Sequence, residues 1–495
     1  MGSRSRQIGA RRGAALALGA VLALAACSDD DGGGAGSSAD ERTEAPAPPV
    51  DVSGPVTGGS RGVPANAMPP DLADQYGYVE EEYFISGDAT AYAPVGELGA
   101  DGVWTVEPAG TAPYTTRVMV RRPEDADNFN GTVVVEWFNV TAGVDADPDF
   151  GLLHPVLLGE GYAYIGVSAQ AVSVGGGEGI TLDIPGAPAD LLQPLKTRDP
   201  ERYAPLAHPG DDYSYDIVTQ VAQLARHGDL LDGEAADHAI LVGESQSAGR
   251  LTTYINAVQP VSETFDGFLV HSRFTSGAPI AEGAAEPPEG LAIRTDLETP
   301  GLIFETETDL IRGYIAARQP DSDGVVIWEV AGTAHADKSI VDYGRESAGA
   351  GFDLTAICGA VNDGPQAEVI RAGFAALVDW AVDGTAPPTS EPIVTTGEQI
   401  KRDEFGLAEG GVRTPAVDVP TAMLTGENQA DSVICSLFGA TVPFSPEQLG
   451  QLYPTHEVYV DAVTESADAA VDAGFLLPAD RDSIVAEAED APVPS

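Results

Sequence analysis

Lysine is nearly absent from this 495-residue chain, which has it only at Lys196, Lys338 and Lys401. Lysine and arginine together number 25 against 77 aspartates and glutamates, so the formal net charge is −52. Nucleic-acid binding depends on neutralising phosphates with lysine and arginine, and this charge balance therefore argues against a nucleic-acid partner. It also disfavours anionic substrates, because a surface of this sign repels them.

Cysteine is also scarce, with three residues in the chain. Cys27 ends the sequence Leu-Ala-Ala-Cys, which closes an apolar segment that a basic region precedes. This pattern is typical of an export signal, and its ending resembles a bacterial lipobox. We predict a signal peptide over 1–26 and a lipidated Cys27; a plain secretory signal is the alternative. Cys358 and Cys435 are predicted to form a disulfide, with two separate buried thiols as the alternative.

Long apolar runs are missing after residue 26, so no segment is predicted to span a bilayer. The protein is expected to be extracytoplasmic and attached to the bacterial cell membrane through lipid alone. Residues 27–70 hold few large apolar side chains, which predicts a disordered tether. The histidines and cysteines show no metal-ligand spacing, and we expect neither a metal nor an organic cofactor.

The rest of the sequence alternates strand-like runs with helical patterns. Two or three alternating runs before residue 123 predict antiparallel strands. Later runs are almost continuously apolar, which is typical of parallel strands buried on both faces. The pattern predicts an α/β fold with a mainly parallel sheet. We assign residues 71–386 to this core and 387–495 to a C-terminal extension of helices and loops. The extension is expected to pack on the core and to cover part of the active-site entrance as a lid. The alternative is that it lies away from the active site.

The stretch 238–251, HAILVGESQSAGRL, is typical of a strand, a tight turn and the start of a helix. A serine at the apex of such a turn is exposed at the carboxyl edge of the sheet. Small residues two positions before and after it let the strand and the helix approach closely. Ser245, flanked by Gly243 and Ser247, fits this pattern and is the predicted nucleophile. Ser247 is a rival, although it would lie in the first turn of the helix.

A serine hydroxyl needs a positioned base, and that base needs a carboxylate to fix its tautomer. His335 and Asp309 each follow a predicted core strand, and with Ser245 they occur in the chain order serine, acid, histidine. That order is the one found in α/β-hydrolases. We therefore predict a Ser245–His335–Asp309 triad. Glu307, which is closer to its strand, is the alternative acid.

A tetrahedral intermediate also needs hydrogen-bond donors for its oxyanion. One predicted donor is the backbone N–H of Gln246, directly after the nucleophile. The second is expected from the loop after the apolar run 131–140, and the choice lies between Phe138 and Asn139.

Together these segments resemble a large, mostly uncharacterised group of bacterial α/β-hydrolase-domain proteins. The shared features extend over 76–490 and include GYVEEEYFISG, GTVVVEWFNVTAG, GESQSAGRL, FLVHSR, ETETD, AGTAH, GGVRTPAVDVP and LYPTHEVYV. At the turn that carries the nucleophile, members often have the sequence Gly-x-Ser-Gln-Ser-Gly-Arg or Gly-x-Ser-Gln-Thr-Gly-Arg. In this chain Ala248 is interposed between Ser247 and Gly249. The resemblance implies the α/β-hydrolase fold and a hydrolase triad, but it supplies no substrate.

These observations predict a serine hydrolase of the carboxylesterase type, which forms an acyl-enzyme on Ser245. Its expected partner is a small ester, and the acidic composition favours a neutral one. Because the triad does not distinguish esters from amides, a peptidase or amidase remains an alternative. An acyltransferase with the same triad and a catalytically inactive surface binding protein are further alternatives.

Overall fold

The structure is a computed structural model that describes residues 49–177, 192–347, 358–428 and 434–494. The predictions for the signal peptide 1–26, for Cys27 and for the first part of the tether lie outside the described residues. Among those that are described, no helix is both long and apolar enough to cross a bilayer.

A nine-stranded sheet forms the centre of the fold, in the order β1-β2-β3-β5-β4-β6-β7-β8-β9. Pairs from β1 to β5 along this order are antiparallel, and all later pairs are parallel. The strands are β1 (Asp51–Ser53), β2 (Tyr78–Pro94), β3 (Val106–Pro123), β4 (Thr132–Trp137), β5 (Ala163–Val167), β6 (His238–Glu244), β7 (Gly267–His271), β8 (Gly301–Thr306) and β9 (Val325–Val330). The predicted architecture, a mainly parallel sheet with antiparallel N-terminal strands, is confirmed.

Helices lie on both faces of this sheet. They are α1 (Pro70–Tyr76), α2 (Pro148–Gly159), α3 (Ala171–Gly175), α4 (Leu195–Arg198), α5 (Ser214–Arg226), α6 (Gln246–Thr253), α7 (Gln259–Ser262), α8 (Glu307–Ile311), α9 (Lys338–Ser347), α10 (Gln366–Asp383), α11 (Pro415–Asp418), α12 (Pro446–Leu452), α13 (His456–Asp472) and α14 (Pro478–Asp490). A π-helical turn, Tyr254–Val258, continues α6.

Two apolar layers lie on opposite faces of the sheet, because successive strand side chains point to opposite sides. In β4, Val133 and Val135 belong to the layer that α5 and α6 cover. Val134 belongs to the layer that α2 and α10 cover. Every residue of β4, β8 and β9 is buried, which explains why their sequences are mostly apolar, with one buried glutamate in each, rather than alternating.

The predicted tether is wrong over its last part, since the chain joins the fold well before residue 71. β1 pairs with β2, and Ala65 and Met68 are buried. The guanidinium of Arg117 donates to the Ala65 carbonyl, and that of Arg121 donates to the Asn66 carbonyl. Main-chain hydrogen bonds therefore hold this segment in place, and amino-acid composition does not reveal such bonds.

Over its described residues, 387–428 and 434–494, the C-terminal extension adds two short hairpins and four α-helices to the core. The hairpin strands are β10 (Thr395–Thr396), β11 (Gln399–Ile400), β12 (Ala422–Thr425) and β13 (Ala440–Pro443). Val412 pairs with β9 through backbone hydrogen bonds. Arg371 of α10 makes a two-pronged ion pair with Asp480 of α14, and Phe475 packs edge-on against Trp328.

Candidate active site

Ser245 occupies the tight turn between β6 and α6, with a backbone φ of 60°. A residue with a Cβ rarely adopts this conformation, which costs about 1–3 kcal/mol and persists only when its surroundings enforce it. Here the Ser245 N–H donates to the His271 carbonyl at 2.9 Å. A methyl group added at Gly243 would lie 2.8 Å from the Leu251 side chain and 3.0 Å from the Ser247 Cβ. The crossing of strand and helix therefore requires the small residues that the sequence has there.

Ser245, His335 and Asp309 are joined by two hydrogen bonds. The Ser245 Oγ lies 2.8 Å from His335 Nε2, and His335 Nδ1 lies 2.6 Å from Asp309 Oδ1. Because a carboxylate only accepts, Nδ1 carries the proton in the neutral ring and Nε2 is left to accept from the serine hydroxyl. The structure thus brings together the three residues that the sequence predicts for the triad.

Local helix geometry fixes the orientation of Asp309. Its Oδ2 accepts from both the N–H and the hydroxyl of Thr306, at 2.8 and 2.6 Å, so that Thr306 and Asp309 form the capping box of α8. Burial alone would raise the pKa of Asp309, but the nearby His335 and the Thr306 hydrogen bonds outweigh it and lower that pKa. The ring of Phe274 stacks on the His335 imidazole at 5.2 Å between centroids. The acid and the base are therefore both held in one orientation.

Glu307, the alternative acid, lies elsewhere. One carboxylate oxygen accepts from the Gly332 N–H at 2.7 Å, and the other is 2.9 Å from the Arg402 guanidinium. Glu307 therefore supports the loop that carries His335 instead of contacting the imidazole. The rival nucleophile, Ser247, is fully buried in the first turn of α6.

The predicted oxyanion donors differ in whether their N–H groups are already bonded within the protein. The Gln246 N–H is the first of α6, and a helix does not use its first N–H groups internally. The structure corrects the second donor, however. The Phe138 N–H donates to the Val167 carbonyl at 3.4 Å, and the Asn139 N–H donates to the Ala146 carbonyl at 2.9 Å. The next N–H, of Val140, makes only a long 3.5 Å contact with the Gln246 side chain, and it is the better candidate.

Sequence reasoning missed Glu244, the last residue of β6. Its Oε1 is 3.2 Å from His335 Nε2, on the same nitrogen that faces the serine. Its Oε2 accepts from Asn139 Nδ2 at 2.9 Å, and that amide also donates to the Glu244 carbonyl. Burial raises the pKa of Glu244 to about 7, although His335 and His271 partly oppose this rise. Its position in the sequence could have indicated this role, because the residue directly before the nucleophilic serine ends β6 and therefore lies beside the catalytic base, His335.

A second buried histidine–carboxylate pair lies beneath this group. His271 Nδ1 is 2.8 Å from Asp149 Oδ1, and its Nε2 is 3.0 Å from the Gln366 amide nitrogen. The Asp149 N–H in turn donates to Glu136 at 3.1 Å. Burial and the neighbouring carboxylates raise the pKa of Glu136 well above its usual range. These contacts give His271 a structural role.

A cavity of about 330 Å³ opens onto Ser245 and His335. Its walls are mainly apolar and include Val144, Leu192, Ile340, Val341, Leu437 and Phe438. The predicted disulfide is present, and it joins Cys358 to Cys435 beside the wall that Leu437 and Phe438 form. In the part of the chain that the structure describes, no cluster of side chains could hold a metal ion.

Carboxylates also line this cavity, and buried arginines neutralise two of them. Asp145 Oδ2 is 2.8 Å from Arg117, and Asp147 Oδ2 is 2.7 Å from Arg121. The Tyr343 hydroxyl donates to Asp147 at 3.1 Å. The cavity therefore combines apolar walls with carboxylates that are paired with arginines, and Arg198 also lies along its lining.

Comparison with known proteins identifies the family. The family model described as an alpha/beta hydrolase domain matches residues 52–486. Similar solved structures include the esterase Est22, with 14% identity, 57% of this chain and 80% of that chain covered, and a TM-score of 0.31. A Rhizomucor miehei esterase has 13% identity, 52% and 77% coverage and a TM-score of 0.26. An α/β serine hydrolase from Xanthomonas campestris has 14% identity, 53% and 93% coverage and a TM-score of 0.25. No curated protein matches the chain. Structural similarities this distant say nothing about the substrate.

Proposed function

Because the chain belongs to the alpha/beta hydrolase domain family, we propose that it is a serine hydrolase that cleaves carboxylic esters. The observation that carries this proposal is the series of hydrogen bonds from Ser245 through His335 to Asp309 at the mouth of the cavity. A partly exposed serine joined in such a series to a buried histidine and a buried aspartate provides the groups that nucleophilic acyl transfer requires.

In the proposed reaction, Ser245 Oγ attacks the ester carbonyl while its proton moves to His335 Nε2. Asp309 holds the imidazole and balances the positive charge that forms on it. The N–H groups of Gln246 and Val140 stabilise the oxyanion. Return of the proton to the leaving alcohol gives the acyl-enzyme, and water then attacks this intermediate with His335 again as the base.

We further propose that the substrate is a neutral ester with a compact apolar group. Support comes from the apolar walls of the 330 Å³ cavity and from the carboxylates of Asp145, Asp147 and Glu244 that line it. Because arginines pair with Asp145 and Asp147, an anionic substrate would chiefly meet the ionised form of Glu244, in a site of low dielectric constant where repulsion is strong.

Extracytoplasmic location and lipid attachment at Cys27 remain part of the proposal. Their support is the basic and apolar sequence over 1–26 and the Leu-Ala-Ala-Cys ending. Mass spectrometry of the membrane fraction, searching for a diacylated N-terminal Cys27, is the direct test. An N-terminus at another residue, or one without lipid, would contradict it.

The catalytic proposal is tested by treating the purified full chain with a fluorophosphonate and measuring intact mass. One covalent adduct is expected on the wild type and on Ser247→Ala, and none on Ser245→Ala. An adduct that persists in Ser245→Ala would show that another residue is the nucleophile. A folded wild type without any adduct would overturn the hydrolase proposal and favour a surface binding protein.

A further inference from the structure

The nitrogen of His335 that faces the nucleophile has two neighbours. Nε2 lies 2.8 Å from the Ser245 Oγ and 3.2 Å from Glu244 Oε1. With Nδ1–H directed at Asp309, neutral His335 presents a lone pair at Nε2. That lone pair accepts from the serine hydroxyl, but it cannot bond to a carboxylate, which also only accepts. A hydrogen bond between Glu244 and His335 therefore requires one additional proton, on either partner.

We propose that Glu244 is a positioning residue that shares a proton with His335 and that this proton must leave before Ser245 can be activated. The proposal rests on the hydrolase function stated above. With the proton on the ring, His335 cannot act as a base. With the proton on Glu244, the carboxyl O–H occupies the Nε2 lone pair. Only the form in which Glu244 is ionised and His335 is neutral accepts the serine proton.

The same carboxylate assists the step that follows. As the bond from Ser245 Oγ to the carbonyl carbon forms, the serine proton moves to Nε2, and the carbonyl electron pair moves to oxygen. The new Nε2–H lies beside ionised Glu244, so the imidazolium is held between two carboxylates, with Asp309 on the other side. The proton then passes from Nε2 to the leaving alkoxide as the ester bond breaks. Glu244 is unchanged over the cycle.

Contacts with Asn139 fix the Glu244 carboxylate in this position. Asn139 Nδ2 donates to Oε2 and to the Glu244 carbonyl. The Asn139 amide itself is oriented, because its Oδ1 accepts from the Thr141 N–H at 2.8 Å. Oε1 is thus left to face His335. Asn139, predicted from sequence as an oxyanion donor, instead connects the loop after β4 to the nucleophile strand.

Other charged groups around the pair come from several elements. Burial raises the pKa of Glu244 most, His335 and His271 lower it, and Asp149 and Asp309 raise it, with a result of about 7. For His335, burial lowers the pKa, but Asp309 and Glu244 raise it by more, and Arg312 opposes them. These directions agree with a proton that the pair holds until the pH reaches the neutral range.

The test is the pH dependence of kcat/KM for p-nitrophenyl acetate in the wild type and in Glu244→Gln. Removing the carboxylate should move the acidic limb of the profile to lower pH by about one unit or more, as expected for loss of a charge within a few ångströms. The plateau rate should fall, since the imidazolium loses one neighbouring anion. A lower rate with an unmoved limb would overturn the proposal and leave Glu244 a structural role only.

A matched control is Glu307→Gln, which alters another fully buried glutamate that does not contact the imidazole. The acidic limb of the pH profile of Glu307→Gln should stay at the wild-type pH, whatever rate this variant retains. If Glu244→Gln fails to fold, Glu244→Asp, whose shorter side chain draws back from Nε2, should shift the limb in the same direction.

A second measurement keeps this inference separate from the hydrolase proposal. The downfield proton resonance of the His335 Nδ1–H reports protonation of the ring without any substrate. Its titration midpoint should drop in Glu244→Gln by the same amount as the kinetic limb. An unchanged midpoint refutes the shared proton even if the fluorophosphonate labels Ser245. A shifted midpoint in an unlabelled protein supports the pair while the hydrolase proposal fails.

Discussion

Asp309 and Glu307 are two positions apart in α8, yet only Asp309 reaches the imidazole. Thr306, the residue that caps α8, binds one oxygen of Asp309 and leaves the other for His335. Glu307 points away and accepts N–H groups from Gly332 and Gly426. The sequence alone did not decide which of the two is the triad acid, because both follow β8. The capping geometry of α8 decides between them.

Asp309→Asn is expected to lower kcat by about 10⁴-fold, because an amide at this position favours the wrong imidazole tautomer. The measurement is steady-state hydrolysis of p-nitrophenyl acetate at a pH on the wild-type plateau. Glu307→Gln keeps the triad and should lose far less. Equal losses in the two variants would contradict the assignment of the acid.

Glu305 in β8 is a buried carboxyl group of a different kind. It is completely buried, and no side chain among the described residues donates a hydrogen bond to its oxygens. Burial raises the pKa of Glu305 well above its usual range, and Asp309 adds to the rise while Arg273 opposes it. The folded protein therefore retains a proton at Glu305 that the unfolded chain releases. Such a group stabilises the fold least at high pH, since its stabilising effect disappears as pH rises above the unfolded pKa.

Glu305→Gln should consequently become more stable relative to the wild type as pH rises from about 5 to about 8, by up to about 1.4 kcal/mol per pH unit. Urea unfolding of both proteins at several pH values gives the two free energies of unfolding. Glu107→Gln, at an exposed glutamate, controls for the chemical change itself. A difference between Glu305→Gln and the wild type that falls with pH would contradict the buried, protonated carboxyl.

At the scale of elements, β1 and the segment that follows it matter more than their composition suggests. The carbonyls of Val56, Gly58 and Ala65 accept from buried guanidinium groups, with Arg202 bound to the first two and Arg117 to the third. These arginines also pair with carboxylates, so the segment completes a buried ionic network. Removing it would leave donors of charged groups without partners in an apolar setting.

A chain that begins at residue 71 should therefore be much less stable than one that begins at residue 49, by about 1–3 kcal/mol for each buried donor left without a partner. Urea unfolding monitored by tryptophan fluorescence measures the difference as a lower midpoint. Adding back 49–70 as a separate peptide should restore part of the loss. Equal midpoints for the two chains would restore the tether prediction for 49–70.

The sequence predicted those elements whose own residues determine them. Continuous apolar runs located the core strands because burial on both faces leaves no polar alternation. The elbow at Ser245 was predictable because close packing and an exposed serine need that local pattern. The contacts among the polar groups of the site could not be predicted from the sequence, since they join segments that are distant along the chain. Glu244 meets His335 from another strand, and the Asn139 N–H bonds to Ala146 through a loop conformation that no motif encodes.

Considered as a whole, the molecule buries charged groups of both signs and still leaves a strongly acidic exterior. Several of its few cations are enclosed, as Arg117, Arg121 and Arg273 are fully buried. Arg202 is almost fully buried and pairs with Glu82. Among the described residues more carboxylates than arginines are buried, so the negative charge of the surface comes from the excess of 77 acidic over 25 basic residues in the sequence. Charge of this size acts over the Debye length and is screened by salt.

The negative charge of the surface and that of the cavity should both disfavour an anionic ester, and the two effects differ in how they depend on salt. For a matched pair of neutral and anionic esters, kcat/KM should favour the neutral one at low ionic strength. The ratio should shrink as salt rises, because the Debye length falls from about 30 Å at 0.01 M to about 3 Å at 1 M. A residual preference should persist in high salt, since the ionised form of Glu244 lines the cavity, where screening is weak. A ratio of one at every ionic strength would show that neither the surface nor the cavity discriminates by charge, and the proposed neutral substrate would lose its support.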